Sequence, residues 1–295
     1  MTERLREWAN KHLNILFLLP TAVIISFVCI FPLGFSLFMS LHVWELASPL
    51  PPTFVGISNY IEIIHDIRFW HSLFHAVVMV STSVSIQILV GFTLALILNR
   101  EFKGRSVLVS LFLIPTIIAP VVVAFMWKML YSEHYGPINY MINLFWGLKG
   151  IPWLSSPLSA LFSIILANAW EWFPLVLLVS LGGLQSIPDD YYDAAQMDGA
   201  SKWQIIRYIV LPLMRPIILV IALIRVIEDF KLFDIIYVLT HGGPGMATET
   251  LNYYTYLKGF RFFSFGYAGA LSYMQLILVV GIAIILIRNI IKERR

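Results

Sequence analysis

Long apolar stretches alternate with shorter polar segments along the chain, and six of them are long enough to cross a lipid bilayer. A membrane-spanning α-helix needs about 20 apolar residues. Because lipid offers no hydrogen-bond partners, each stretch must satisfy its own backbone groups, which favours helices. The pattern therefore predicts an all-α, polytopic membrane protein with six transmembrane helices, at 13–41, 73–98, 107–130, 158–181, 213–240 and 267–287.

Prolines interrupt two of these stretches. The first stretch is longer than a bilayer requires and contains Pro20 and Pro32, so we expect it to be tilted or to kink at one of them. The third contains Pro115 and Pro120, which can free backbone carbonyl groups inside a helix bundle.

The composition agrees with a membrane protein. Hydrophobic residues make up 59% of the 295 residues, charged residues 13%, and the formal net charge is only +3. The mean hydropathy of +0.81 is too high for a soluble domain. Nothing in this charge balance indicates a nucleic-acid surface. The single cysteine, Cys29, excludes an intrachain disulfide.

The distribution of basic residues predicts the orientation. Thirteen of the twenty Lys and Arg residues lie in the segments 1–12, 99–105, 202–215 and 288–295, which six spans place on one side. Basic residues are enriched on the cytoplasmic side. We therefore expect a cytoplasmic lead (1–12), a transmembrane domain (13–290) and a cytoplasmic tail (291–295). The loops 42–71 and 131–157 then face outward.

One polar segment, residues 189–212, lies between the fourth and fifth stretches and is predicted to form two helices; we call it the polar hairpin. Ser186 can cap the first helix, whose first turn carries Asp189 and Asp190. Gly199 supplies the left-handed residue that ends it. Ser201 with Gln204 forms a capping box for the second helix, and Pro212 is expected to end or kink that helix.

The second helix of the polar hairpin carries an apolar stripe. Trp203, Ile206 and Val210 recur at helical spacing, with Lys202 and Arg207 beside them. A stripe of this kind on the cytoplasmic side is suited to a groove of a soluble partner.

The polar hairpin also resembles the EAA loop of permease subunits of binding-protein-dependent ABC importers. The family pattern E-A-A-x3-G-x9-I-x-L-P is met by Asp193-Ala194-Ala195, Gly199, Ile209 and Leu211-Pro212, with Asp in place of the first Glu. In that family the loop contains the coupling helix that docks on the ATPase subunit. The resemblance assigns ATPase coupling to Asp193, Ala194, Ala195, Gly199, Ser201, Trp203, Arg207 and Pro212.

Other segments resemble sugar-importer permeases of the maltose, trehalose and glycerol-phosphate type. They are FVGISNYIEII after the first span, LFLIPTIIAPVVVAFMWKMLY in the third and FKLFDIIYVLTHGGPG at the end of the fifth. The resemblance implies a bacterial plasma membrane protein that works with a second homologous permease, two copies of an ATPase and an external solute-binding protein. ATP and Mg are then held by the ATPase, and no cofactor is expected on this chain.

Five charged residues lie close together in the fifth stretch, where a charge inside the bilayer costs about 2.5–3.5 kcal/mol and must face protein or water. Arg225, Lys231 and Asp234 are interpreted as structural ion-pair residues. Glu228 and Asp229 have two interpretations. They either hold spans together or, as the family resemblance implies, line a path for a polyhydroxylated solute.

Trp170, Glu171 and Trp172 in the fourth stretch present the same alternatives. Aromatic rings beside a carboxylate can stack on a sugar and hydrogen-bond its hydroxyl groups, while Trp is also a common packing and interface residue. Asn168 is interpreted as a hydrogen-bonding residue between helices.

No motif in the sequence indicates catalysis or a metal site. There is no P-loop, no G-x-S-x-G elbow and no HExxH, and the seven histidines are scattered. A membrane enzyme is therefore not favoured. A stand-alone, proton-coupled secondary transporter remains an alternative, since the acidic fifth span could relay protons. Such proteins usually show inverted repeats, which are not evident here.

These observations predict the permease subunit of an ATP-driven ABC importer that moves a carbohydrate, a disaccharide or short oligosaccharide, by alternating access. The alternative solute is a polyol or glycerol phosphate.

Overall fold

A computed structural model describes residues 13–147 and 150–293 of the chain. These residues are mostly helical, as expected. The first apolar stretch forms α1 (Leu13–Ile25), a π-helical turn (Ser26–Ile30) and α2 (Phe31–Ser40). A two-residue hairpin of β1 (His42–Val43) and β2 (Thr53–Phe54), α3 (Ser58–His65) and the long α4 (Ile67–Leu98) follow.

The middle of the chain forms α5 (Arg105–Ile117), α6 (Pro120–Leu130), the short α7 (Pro137–Trp146) and the long α8 (Pro157–Gln185). The polar hairpin forms α9 (Asp189–Met197) and α10 (Lys202–Ile205), which a π turn (Ile206–Val210) joins to α11 (Leu211–Asp229). The remaining elements are α12 (Asp234–Leu239), α13 (Leu251–Tyr256), a third π turn (Leu257–Arg261) and α14 (Phe265–Glu293).

The number of spans agrees with six. Among the described residues, five helices are long and apolar enough to cross a membrane, and a bent helix pair makes a sixth if it is counted as one span. That pair is α5 and α6, which meet at an angle of 97°. The 107–130 stretch is therefore a broken span, with extended backbone at Ile118 and Ala119 between Pro115 and Pro120.

Several boundaries differ from the prediction. The second span begins at Ile67 rather than 73, because α4 includes the segment with Arg68 and His71 that the prediction assigned to the loop. The fourth extends to Gln185. The fifth ends at Asp229 rather than 240, since the backbone breaks before α12.

Pro212 does not end the second helix of the polar hairpin, which runs on as a 28-residue helix, Lys202–Asp229. The reason is the π turn before it, in which the Leu211 amide donates to the Ile206 carbonyl, five residues back. A widened turn relieves the clash that a proline ring otherwise makes with the preceding turn. Pro32 also follows such a turn, where the Phe31 amide donates to the Ser26 carbonyl.

The chain divides into two compact units. The first contains residues up to 66 together with 255–274. Its β1–β2 hairpin is fixed by Asn59, whose Nδ2 donates to the carbonyl oxygens of Ser40 (2.8 Å) and His42 (3.0 Å). Gly266 lies so close to the same segment that a Cβ there would come within 2.0 Å of the His42 carbonyl oxygen.

The second unit contains residues 67–254 and those from 275 onward. Its centre is the pair α4 and α8, which approach closely at Gly91. A Cβ at Gly91 would lie 2.7 Å from the Val176 Cβ and 2.8 Å from the Phe173 carbonyl oxygen. A buried apolar cluster joins this helix pair to the polar hairpin and α11; its members are Phe92, Ala95, Leu98, Leu177, Leu181, Leu184, Ala195, Ile205, Val210 and Met214.

Candidate functional site

The polar hairpin has the turn geometry that its sequence predicts. Gly199 is left-handed at φ +75°, and the amides of Gly199 and Ala200 donate to the carbonyl oxygens of Gln196 (3.0 Å) and Ala195 (2.9 Å). These two bonds are the Schellman motif of a helix end. The capping box also forms, since Ser201 N donates to Gln204 Oε1 (2.7 Å) and Gln204 N to Ser201 Oγ (3.4 Å).

The predicted cap at Ser186 is wrong. The Ser186 hydroxyl donates to the Gly183 carbonyl oxygen (2.7 Å), at the end of α8, and Pro188 occupies the N-cap position of α9 without a side-chain bond. Asp189 and Asp190 do occupy the first turn of α9. Burial and the negative charge of Asp189 raise the pKa of Tyr192 on the same helix.

The two faces of the polar hairpin serve different contacts. Ala195 packs in the buried apolar cluster, while Asp193, Ala194 and Gly199 are exposed. On the second helix, Ser201, Trp203, Arg207 and Pro212 are exposed.

The predicted apolar stripe is not a single exposed surface. Val210 is buried in the apolar cluster and Ile206 is half-buried, so only Trp203 of the three is open, at 66% exposure. The exposed surface of α9 instead contains Tyr191 and Met197, the latter 89% exposed. Neither residue was predicted, since an isolated exposed Met or Tyr has no sequence signal.

A buried polar cluster joins α4, α8 and α11. Arg225 is 1% exposed and forms a salt bridge with Asp229, and its Nε donates to Gln87 Oε1 (2.8 Å). Gln87 Nε2 donates to Asp229 Oδ2 (3.1 Å) and to Ser83 Oγ (2.9 Å). Asn168 Nδ2 donates to Asp229 Oδ2 (2.9 Å) and to Ser83 Oγ (2.8 Å). We call these five residues the polar core cluster.

Trp172 lies beside the polar core cluster, with its ring centre 4.4 Å from the Arg225 Cζ atom. A guanidinium over an indole face is a favourable cation–π arrangement. Trp172 thus contributes a stabilising contact to the buried guanidinium of Arg225.

Trp170 and Glu171 contact both halves of the broken span. The Trp170 ring packs edge-on against Trp127 of α6 (5.7 Å between ring centres), and the Glu171 carbonyl oxygen accepts from Thr116 Oγ1 of α5 (2.9 Å). The Glu171 side chain is buried, and its Oε2 accepts no hydrogen bond from the described residues.

Glu228 and Lys231 form a separate, exposed ion pair (3.0 Å). Asp234 is the first residue of α12, where the helix N-terminus stabilises its negative charge. Within residues 13–147 and 150–293, Lys231 forms no ion pair with Asp234. In the same described ranges, no three His, Cys, Asp or Glu side chains gather as metal ligands.

A second ion pair, with a buried carboxylate and a partly exposed arginine, lies at the start of α4. Arg68 Nε and Nη2 donate to the two carboxylate oxygens of Glu249 (2.8 and 2.7 Å), and Ser72 Oγ also donates to this carboxylate (3.1 Å). Arg68 lies in the segment 42–71, which the sequence predicts to be a loop. Its partner is 181 positions away in the chain, so no local pattern marks the pair.

The broken third span, the buried charges and the polar hairpin between two spans are features of a polytopic membrane protein. The family model described as the binding-protein-dependent transport system inner membrane component matches residues 87–294, and the chain belongs to this family. It is therefore an inner-membrane permease subunit of an ABC importer, a transport subunit and not an enzyme, as its sequence predicted.

Individual relatives and a solved structure agree with this assignment. The chain is 35% identical over 291 residues to the trehalose/maltose transport system permease protein MalF of Thermococcus litoralis, covering 98% of this chain and 96% of the relative. It is 32% identical to the trehalose transport system permease protein SugA of Mycobacterium tuberculosis, covering 95% and 89%. A bacterial ABC transporter involved in alginate import has the same fold, with a TM-score of 0.83 at 23% identity over 98% of this chain and 99% of that chain.

Proposed function

We propose that this chain forms part of the translocation path of an importer for a disaccharide or short oligosaccharide. The observation that carries the proposal is the likeness to a trehalose/maltose permease over 98% of the chain. A polyol or glycerol phosphate is the alternative solute.

We infer an assembly with a second homologous permease, two ATPase subunits and an external binding protein. In this arrangement both termini and the polar hairpin lie in the cytoplasm, while α3 and α7 lie on the outer side. The thirteen basic residues on one side support this orientation.

The polar hairpin is the proposed ATPase contact. Tyr191, Asp193, Met197 and Trp203 present an exposed, mostly apolar surface, whereas Ala195, Ile205 and Val210 on the opposite side pack against the ends of α4 and α8. A packed core transmits displacement because it is close-packed and has few voids. Movement of the ATPases would therefore move these spans.

Five residues are candidates to line the solute path: Trp170, Glu171, Trp172, Glu228 and Asp229. Of these, Glu171 and Trp170 are best placed to contact solute. Asp229 has both carboxylate oxygens engaged by Arg225, Gln87 and Asn168, which favours a structural role. Glu171 has an oxygen that accepts no hydrogen bond within the described part of the chain. It lies against the broken third span, since its carbonyl oxygen accepts from Thr116 Oγ1 of α5. Trp172 is engaged with Arg225, and Glu228 stays a candidate on the exposed side.

The test uses the complex purified from its own membrane. Gly199 has a left-handed backbone and open space around it, so Gly199→Val strains the turn whereas Gly199→Asn, which tolerates this conformation, does not. We expect the Val variant to lose ATPase subunits on co-purification and to lose ATP-driven uptake of trehalose or maltose in proteoliposomes. The Asn variant should retain both.

Two results would contradict the proposal. If the chain purifies alone and moves solute without ATP, the alternative of a stand-alone secondary transporter is supported instead. A complex that takes up glycerol phosphate or a polyol but no disaccharide would keep the importer and replace the solute.

A further inference from the structure

A groove on the outside of the Lys202–Asp229 helix is lined by two arginines and by apolar side chains. Arg207 in the π turn and Leu211 and Arg215 in α11 lie together along this groove. With Pro212 and Leu219 they border a cavity of about 540 Å³. The opposite face contains Met214 and Ile221, which are buried in the unit.

The groove is amphipathic along the helix axis. Side chains of an α-helix tilt toward its N-terminus, so Arg215 extends back toward Arg207 and the polar hairpin. Both arginines are exposed. Beyond Arg215 the lining is apolar, with Pro216, Ile218 and Leu219. The end of the groove near the polar hairpin is therefore cationic. The other end, farther along the apolar stretch, is apolar.

The position of Arg215 places the boundary between the cationic and the apolar part of the groove at a membrane surface. Arg215 lies four residues after Leu211, where the apolar run of α11 begins. A charged side chain near the end of a span reaches the headgroup level with its cationic group, while its stem stays among the acyl chains. Tyr208, on the hairpin side of the groove, is exposed and is of a type enriched at that interface.

We propose that this groove binds an anionic glycerophospholipid, with its phosphate between Arg207 and Arg215 and an acyl chain along Ile218 and Leu219. A guanidinium has five N–H donors in a planar fork and binds phosphate with two of them, so other contacts of the same side chain are compatible with the lipid. A zwitterionic lipid neutralises its own phosphate, whereas an anionic one complements two arginines. A soluble phosphate would leave the apolar half of the groove unused. The proposal does not depend on the solute or on the coupling role of the hairpin.

The test measures lipid binding to the full-length chain in its purified complex. Native mass spectrometry would follow titration with dioleoyl phosphatidylglycerol and, separately, with dioleoyl phosphatidylcholine. We expect the wild type to prefer phosphatidylglycerol. Arg207→Gln with Arg215→Gln should weaken phosphatidylglycerol binding about thirty-fold, as two basic residues at a membrane surface predict.

Two further variants separate the groove from general charge. Arg100→Gln with Lys103→Gln removes the same charge from an exposed turn predicted to lie on the same side, and it should leave phosphatidylglycerol affinity within about twofold. Leu219→Trp fills the apolar half of the groove without changing charge, and it should weaken phosphatidylglycerol binding as well. This variant keeps the test decisive if the double arginine variant does not fold.

Four outcomes would overturn the assignment. Equal affinity of the wild type for the two lipids removes the anionic preference. An equal loss in the Arg100/Lys103 variant makes the effect one of overall charge. Displacement of the lipid by millimolar inorganic phosphate makes the groove a site for soluble anions. Loss of the second permease from the Arg207/Arg215 variant, with phosphatidylglycerol binding unchanged, makes the groove a subunit contact.

Discussion

Glu228 and Asp229 are adjacent in the sequence but lie in opposite environments. Glu228 forms an exposed pair with Lys231. Asp229 is buried and is held by Arg225, Gln87 and Asn168. A buried charge is tolerated only where it is paired and hydrogen-bonded. The two acids therefore contribute very differently to the stability of the folded chain.

The first prediction uses this contrast. Asp229→Asn preserves the side-chain shape but leaves Arg225 charged and buried without its carboxylate. We expect the free energy of unfolding to fall by about 3–5 kcal/mol, measured by denaturant unfolding in detergent micelles.

The neighbouring Glu228→Gln is the matched control, because it removes the carboxylate of the exposed ion pair with Lys231. It should change the free energy of unfolding by less than about 1 kcal/mol. Equal losses in the two variants would mean that the polar core cluster is open to water.

At this scale the sequence identifies the charges but not their partners. Arg225 and Asp229 are four residues apart, so their pairing follows from helix geometry. Gln87 and Asn168 are 142 and 61 positions from Asp229. Which polar residue of a distant span meets Asp229 depends on the packing of α4 and α8, which no local pattern contains.

At the level of elements, the close approach of α4 and α8 at Gly91 determines how these two helices pack. Gly91→Ala puts a methyl group 2.8 Å from the Phe173 carbonyl oxygen. This is a backbone atom, so no side-chain rotation can relieve the clash. We expect a loss of about 1–3 kcal/mol from overpacking, measured by the same denaturant unfolding.

Gly182→Ala in α8 is its control, because a Cβ there meets no atom within 4 Å. Replacing a helical glycine by alanine in open space should leave the free energy of unfolding unchanged or raise it by up to about 1 kcal/mol. A tolerated Gly91→Ala would contradict the close packing of the two helices.

The ends of the polar hairpin helices give a third prediction. Ser201→Ala removes the side-chain half of the capping box and should lower local stability by about 1 kcal/mol. Amide hydrogen exchange at Gln204, whose amide donates to Ser201 Oγ, should then quicken about five-fold, with little change in α8. Ser186→Ala, at the site where the predicted cap does not form, should leave exchange in α9 unchanged.

Local signals account for these ends but not for every break. The Schellman motif at Gly199 and the capping box at Ser201 depend on residues within five positions, so the sequence predicts them correctly. The prolines mark the third span as interruptible, yet the 97° angle also reflects tertiary bonds. Among them, Lys128 Nζ of α6 donates to the Val238 carbonyl oxygen of α12 (2.8 Å).

For the whole molecule, orientation in the membrane is the main expectation to test. Met197 on α9 is 89% exposed and Tyr135, before α7, is 92% exposed. In a Cys29→Ser background expressed without the ATPase subunits, Met197→Cys should react with a membrane-impermeant maleimide only in inside-out vesicles. Tyr135→Cys should react only in right-side-out vesicles. Labelling of both from one side would contradict a six-span topology that places them on opposite faces.

The three π turns have a consequence for helical-wheel analysis. Each holds one more residue than the α-helical turn it replaces, and one residue corresponds to about 100° of rotation about the axis. A wheel drawn continuously through Lys202–Asp229 therefore assigns the wrong azimuth to every residue on one side of Ile206–Val210. This offset explains why Trp203 and Val210, which share a stripe on an ideal wheel, point respectively to solvent and to the core.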